Sequence, residues 1–123
     1  MIPQIRPAQL AAWLASVQGH GKPVLLDVRE PNEVAVASIA GVAGVGSDTP
    51  DNGYELVAMP MGNVPARLSE LDASRPIACL CHHGARSQRV AQFLQAQGFS
   101  HVINIAGGID AWAQELDGRV ARY

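Results

Sequence analysis

A cysteine at the end of an apolar run is the feature of this sequence that most directly suggests chemistry. Cys81 follows the run 77–80 and precedes a loop that contains Gly84 and then the start of a helical pattern. The N–H groups of such a loop and of a first helical turn lack partners, and together with the helix dipole they stabilise an anion. A cysteine placed there beside cationic groups can have its pKa lowered from about 8.5 to roughly 3.5–7.5. The sequence therefore predicts that Cys81 is a nucleophile at neutral pH.

The loop after Cys81 supplies residues suited to hold a negatively charged sulfur. Gly84 lets the backbone turn back with its amides towards the sulfur, a conformation that a side chain would hinder. Arg86 carries a permanent positive charge, and the two histidines add charge when they are protonated. The predicted sulfur-binding loop consists of His82, His83, Gly84, Ala85, Arg86 and Ser87.

Apolar runs and turn residues predict an α/β domain around this loop. The segments with strand-like composition are 24–28, 54–61, 77–80 and 102–105. The segments with helical spacing are 7–17, 32–38, 64–71, 109–116 and the stretch from the loop to Gly98. This alternation favours a parallel central sheet of about five strands with right-handed crossovers and helices on both faces. The carboxyl ends of the strands, where Cys81 falls, then form the binding crevice.

Composition and charge narrow the class of protein. The 123 residues, 48% of them hydrophobic, suit one domain over 1–123. The formal net charge is -2 without any run of like charges, so neither nucleic acid nor a membrane surface is expected as a partner. No apolar stretch approaches the roughly 20 residues of a membrane span, and the N-terminus lacks a secretory pattern. Cys79 and Cys81 lie too close along an extended chain for an unstrained disulfide, so we expect a reducing, cytoplasmic location.

Four segments resemble motifs of the rhodanese family of sulfurtransferases. Residues 81–87, Cys-His-His-Gly-Ala-Arg-Ser, are similar to the family's active-site loop, Cys-x-x-Gly-x-Arg-Ser or Thr. Residues 26–33 resemble its Asp-x-Arg-x-x-x-Glu segment, residues 59–61 its central strand, and residues 104–112 its closing Gly-Gly-x-x-x-Trp segment. The matches follow the family's order and cover nearly the whole chain, which implies a rhodanese-like fold.

The resemblance implies a double-displacement sulfur transfer that needs no cofactor. Cys81 would take the outer sulfur of a small anionic donor such as thiosulfate and hold it as a persulfide stabilised by the loop amides. Cyanide, a low-molecular-weight thiol or a sulfur-accepting protein would then collect the sulfur.

The resemblance also implies roles for the residues around Cys81. Arg86 would hold the loop in shape and attract the anionic donor, while the Ser87 hydroxyl would cap the helix or bond the sulfur. Asp27 and Arg29 would support the loop through ion pairs with Arg86 and Glu33, respectively. An equally weighted interpretation is that Asp27 is only a satisfied buried carboxylate and Arg29 an ordinary ion-pair residue.

Two departures from the family pattern concern the rim of the site. Residues 38–42 read Ser-Ile-Ala-Gly-Val where the family often has His-x-Pro-Gly-Ala, and a Gly-rich segment, 42–56, is inserted there. The stretch 41–53 has the composition of an exposed loop. His82 stands where efficient thiosulfate enzymes often have arginine, so we expect modest activity with thiosulfate.

Cys79, the histidines beside Cys81 and the two tryptophans have structural interpretations. Cys79 lies inside an apolar run and is expected in the core rather than as a resolving thiol. The Cys-x-Cys-His-His arrangement lacks the paired spacing of a zinc site, so no metal is expected. Trp13 and Trp112 lie on apolar helical stripes and are expected to pack in the core.

Two rival functions use the same fold. Phosphatases and arsenate reductases place five residues between cysteine and arginine, whereas four separate Cys81 from Arg86, which makes the loop too tight for phosphate. A non-catalytic redox-sensing or protein-interaction module is the second rival, since an activated cysteine can be oxidised without turning over sulfur.

Overall fold

The computed structural model describes residues 2–37, 54–116 and 120. Within them the chain forms one parallel sheet of five strands in the order β1-β5-β4-β2-β3. The strands are β1 (Gln4–Ile5), β2 (Val24–Asp27), β3 (Glu55–Ala58), β4 (Ile77–Leu80) and β5 (Val102–Ile105). The predicted α/β class and parallel sheet are confirmed.

Helices cover both faces of this sheet. They are α1 (Leu10–Ser16), α2 (Pro31–Val36), α3 (Ala85–Ala96) and α4 (Gly108–Glu115), and Pro7–Gln9, Met61–Asn63 and Leu68–Glu70 are short 3-10 helices. Apolar residues of α3 form one core cluster with one face of the sheet. Residues of α1 and α4 form a second cluster with the opposite face, and Trp112 is its largest fully buried side chain.

Side chains along β4 alternate between the two faces of the sheet, and this alternation decides on which face the candidate nucleophile lies. Ile77, Cys79 and Cys81 belong to the cluster on the α3 side, whereas Ala78 and Leu80 belong to the cluster on the α4 side. Successive residues of a strand point to opposite faces, so Cys81 is directed beneath the start of α3.

Three sequence-based expectations about the elements need correction. Residues 64–71 form turns and the 3-10 helix Leu68–Glu70 instead of a continuous helix. Their apolar spacing reflects packing of Val64, Leu68 and Leu71 against the core, which tight turns also allow. The helix expected from Asn32 begins at Pro31, with Glu30 as its N-cap. Strand β1 was not expected from the sequence. The stretch 41–53, which is expected to be an exposed loop, lies outside the described residues.

Candidate active site

Cys81 lies directly after β4, and its side chain is held inside the loop that follows. Only 1% of the residue is exposed. The Gly84 N–H donates a hydrogen bond to Sγ at 3.0 Å, and the Ser87 hydroxyl oxygen lies 3.3 Å from Sγ. The structure thus directs a main-chain donor and a hydroxyl at the candidate nucleophile.

The conformation of Gly84 explains how this loop closes so tightly. Its φ of 106° lies in the left-handed region, which side chains rarely adopt, and it is the N-cap of α3. A Cβ at this position would also lie 3.2 Å from the Gly107 amide nitrogen. A glycine is therefore required for the turn that directs the amide towards the sulfur.

The first turn of α4 holds the other side of the loop. The Ile109 N–H donates to the Cys81 carbonyl at 2.8 Å, and the Asp110 N–H donates to the His82 carbonyl at 3.2 Å. Because N–H and C=O of one trans peptide group point in opposite directions, the amides of His82 and His83 are turned away from α4. Two orphan donors at the start of α4 are satisfied by the same contacts.

Asn104 is a site residue that sequence analysis did not single out. It is 3% exposed in the middle of β5, and its Oδ1 accepts a hydrogen bond from Ser87 Oγ at 2.5 Å. Its Nδ2 donates to the Gly84 carbonyl at 3.1 Å. The available signal was a polar residue within the apolar run 102–105, since buried polar groups require partners.

Arg86 is held by Glu33 in a bidentate ion pair. Two guanidinium nitrogens donate to the two Glu33 carboxylate oxygens at 2.5 and 2.7 Å, and the side chains are 31% and 16% exposed. The pair joins the first turn of α3 to α2, which agrees with a loop-shaping role for Arg86. The pairing of Asp27 with Arg86 expected from the resemblance is wrong, and much of the Arg86 charge is balanced within the protein.

Asp27 and Arg29 form a buried ion pair with each other. Arg29 Nε and Nη2 donate to the two Asp27 oxygens at 2.9 and 2.7 Å, and the side chains are 0% and 3% exposed. Arg29 Nη1 also donates to the Glu33 main-chain carbonyl at 3.3 Å. Arg29 thereby fixes the segment of α2 that carries the partner of Arg86.

Cys79 has the properties of a core residue. It is fully buried, and burial, followed by the neighbouring Cys81, raises the pKa of the Cys79 thiol far above its ordinary value. A thiol that stays protonated is a poor nucleophile. The expectation that Cys79 packs in the core is confirmed.

A histidine pair and a carboxylate lie at the outer side of the loop. His82 and His83 stack with ring centroids 3.9 Å apart, and His83 Nε2 lies 3.9 Å from Asp110 Oδ2. The potential ligand atoms of these three residues lie within 4.8 Å of one another. Stacked rings direct their in-plane lone pairs side by side instead of towards one point, which does not fit a shared metal ion. Ala85, the first residue of α3, is exposed.

Within residues 2–37, 54–116 and 120, no helix has the length and apolar character needed to cross a bilayer.

Comparisons with known proteins agree with one another. A family model described as "Rhodanese-like domain" matches residues 10–115. A protein of Allochromatium vinosum named "Sulfurtransferase" is 32% identical over 114 residues, which are 93% of this chain and 91% of that protein. The crystal structure of a rhodanese-related protein from Thermoplasma volcanium matches with a TM-score of 0.71 and 25% identity, covering 98% of this chain and 99% of the other.

A further relative is longer than this chain. The Bacillus subtilis protein named "Putative sulfur carrier protein YrkF" is 34% identical over 94% of this chain, and the match covers 54% of that relative. The chain therefore spans about half the length of YrkF.

Proposed function

Since the chain belongs to the rhodanese-like domain family, we propose that it is a sulfurtransferase in which Cys81 carries the transferred sulfur as a persulfide. The observation that supports this most is the contact of Cys81 Sγ with the Gly84 N–H and the Ser87 hydroxyl. Both groups are donors placed where negative charge develops on sulfur, in the manner of an oxyanion hole.

The proposed cycle consists of two displacements at sulfur. In the first, the Cys81 thiolate attacks the outer sulfur of the donor, a new S–S bond forms, and the donor's S–S bond breaks. With thiosulfate, sulfite leaves with the bonding electron pair. In the second, an acceptor thiolate or cyanide attacks the outer sulfur of the Cys81 persulfide and leaves as a new persulfide or as thiocyanate. The Cys81 thiolate is then restored without any external oxidant or reductant.

The remaining loop residues have distinct parts in this proposal. The amides of His82, His83 and Ala85 add to the donor set, because the α4 contacts turn the first two away from the helix. Arg86 keeps the loop closed on α2 through Glu33. Asp27 and Arg29 support the Arg86–Glu33 ion pair, because Arg29, held by Asp27, donates a hydrogen bond to the Glu33 carbonyl.

We further propose that thiosulfate is a weaker donor than a singly charged persulfide. Thiosulfate is doubly charged, so it gains most from an uncompensated cation at the site. Arg86 is already engaged by Glu33, and Arg29 by Asp27. The name of the relative YrkF, a putative sulfur carrier, agrees with an acceptor that is a protein or a thiol.

Steady-state kinetics test this function. With thiosulfate or a low-molecular-weight persulfide as donor and cyanide as acceptor, double displacement predicts parallel reciprocal plots. Cys81→Ser should abolish turnover, whereas Cys79→Ala should retain it. Hydrolysis of a phosphate ester would support the phosphatase rival, and a Cys81 that is oxidised without sulfur turnover would support the redox-sensing rival.

A further inference from the structure

Four polar side chains form a hydrogen-bonded line that runs from the protein surface to Cys81. Gln88 Oε1 accepts from Gln4 Nε2, Gln4 Oε1 accepts from Asn104 Nδ2 at 2.8 Å, and Asn104 Oδ1 accepts from the Ser87 hydroxyl. Ser87 is 0% exposed and contacts Cys81 Sγ. The outer end of this line opens on a cleft of about 330 Å³.

The orientation of the Asn104 amide is fixed by its neighbours. Its NH₂ group faces the Gly84 carbonyl at 3.1 Å, an oxygen that can only accept a hydrogen bond. Turning the amide over would place Oδ1 against that carbonyl oxygen, where neither atom can donate, and would direct the NH₂ group at the Ser87 hydroxyl. Gln4 is fixed in the same way, because its NH₂ group faces the Ile2 carbonyl at 3.3 Å. Asn104 therefore presents an acceptor, never a donor, to Ser87.

The orientation of the Asn104 amide matters because the Ser87 hydroxyl can donate only one hydrogen bond. The hydroxyl has one proton and three acceptors within reach, namely Asn104 Oδ1, Cys81 Sγ and the Gly84 carbonyl. Whenever the sulfur is uncharged, the close Asn104 oxygen is the best acceptor for this proton, and the hydroxyl oxygen stays fixed beside the sulfur. A negatively charged sulfur competes for the same proton, because a hydrogen bond to an ion is stronger than one to an amide.

We propose that Asn104 is a positioning residue for sulfur transfer. Its side chain holds Ser87 through Oδ1 and Gly84 through Nδ2, and both of these residues hydrogen-bond to Cys81 Sγ. The Asn104 side chain bonds Ser87, Gly84 and Gln4 rather than the sulfur, so it acts by fixing the two donors in place. The inference rests on the proposed role of Cys81, and it adds a residue of β5 to the machinery of the loop.

Rapid-mixing measurements of sulfur uptake test the proposal. Asn104→Leu should lower the maximal rate by about 10-fold with little change in the donor concentration at half-saturation. This loss is smaller than the 10²–10³-fold typical of removing a donor that touches the reacting atoms. Because Asn104 acts partly through Ser87, the double variant Ser87→Ala/Asn104→Leu should be faster than the product of the two single losses predicts. Losses that multiply fully, or an Asn104→Leu rate equal to wild type, would overturn the proposal.

A second, less disruptive variant tests the proposal even if Asn104→Leu does not fold. Gln4→Met removes only the outer partner of Asn104, at an exposed position, and should lower the same rate by roughly two- to threefold. Gln92→Met, an exposed glutamine of α3 outside this line, is the matched control and should leave the rate unchanged. Equal rates for both variants would count against Asn104. If wild type itself took up no sulfur, the proposed function would fail instead, which separates the two ideas.

Discussion

The Arg86 guanidinium and the Glu33 carboxylate meet in a two-point ion pair that joins α3 to α2 next to the cysteine loop. Arg86 belongs to the turn that encloses Cys81 Sγ, and Glu33 also accepts the Glu30 N–H at 3.0 Å in the capping box of α2. The pair therefore fixes the loop and at the same time reduces the positive field that an anionic donor meets.

Glu33→Gln should strengthen the binding of thiosulfate. The change keeps an acceptor for Arg86 and for the helix cap but removes the negative charge that faces the guanidinium. An attraction of about 1 kcal/mol corresponds to a roughly fivefold lower KM at low salt. The gain should vanish as ionic strength rises, because salt screens the added charge.

Glu70→Gln is the control for this charge change. Glu70 pairs with Arg67 on the surface, so its loss should leave the KM for thiosulfate unchanged. A KM that stays the same or rises in Glu33→Gln would show that the Arg86 charge does not act on the donor.

How far the sequence could predict this site depends on the range of the interactions. The Cys81 loop and its glycine depend on residues that are close in the sequence, so residue types and spacing were sufficient to identify them as a candidate site. The partner of Arg86 lies 53 positions away, and its identity depends on which helices the fold brings together. For that reason the pairing of Asp27 with Arg86 that the resemblance implies is wrong.

Strand β1 and the segment 64–71 show the same limit for secondary structure. A two-residue strand such as Gln4–Ile5 has no periodicity, and it forms because the edge of β5 offers hydrogen bonds to it. The spacing of Val64, Leu68 and Leu71 correctly indicated their packing against the core. The conformation that achieves this packing is a series of tight turns, which the same spacing also permits.

Breaking the buried pair of Asp27 and Arg29 should destabilise the protein strongly. In Asp27→Asn the buried guanidinium loses the charge of its Asp27 partner, and we expect a loss of about 3–5 kcal/mol in the free energy of unfolding. Chemical denaturation measures this loss. Replacing both residues by leucine should be much less harmful, and a double variant as unstable as Asp27→Asn would contradict the explanation.

Gly108→Ala should disturb the cysteine loop from its opposite side. The φ of Gly108 is +59°, and an added Cβ would lie 2.6 Å from the His82 carbonyl carbon. Because the loop carbonyls must then move, we expect a lower melting temperature and at least about a 10-fold slower sulfur transfer. Gly98→Ala is the matched control, since it has a positive φ of 97° but open space around the added carbon. Equal transfer rates in the two variants would contradict the proposed clamp.

The buried Cys79 thiol should make the protein less stable in alkali. Its pKa is raised above the ordinary 9.0 by burial, so the unfolded chain loses this proton at a lower pH than the folded chain. The free energy of unfolding should therefore fall above pH 9, with Cys79 contributing up to about 1.4 kcal/mol per pH unit. Burial likewise raises the pKa of Tyr54 from 10.0 to about 12, which adds to the fall above pH 10.

Denaturation of Cys79→Ala between pH 8 and about pH 10 isolates this effect. The variant should lose stability with pH less steeply than wild type, whatever its stability at neutral pH. Parallel slopes in the two proteins would show that Cys79 ionises equally in the folded and unfolded chains.

Intact-protein mass spectrometry after brief exposure to a sulfur donor tests the central claim most directly. We predict that wild type and Cys79→Ala gain the mass of one sulfur atom, that cyanide removes it, and that Cys81→Ser gains nothing. A Cys81→Ser protein that still acquired the sulfur, or a wild type that never did, would contradict the assignment of Cys81 as the sulfur carrier.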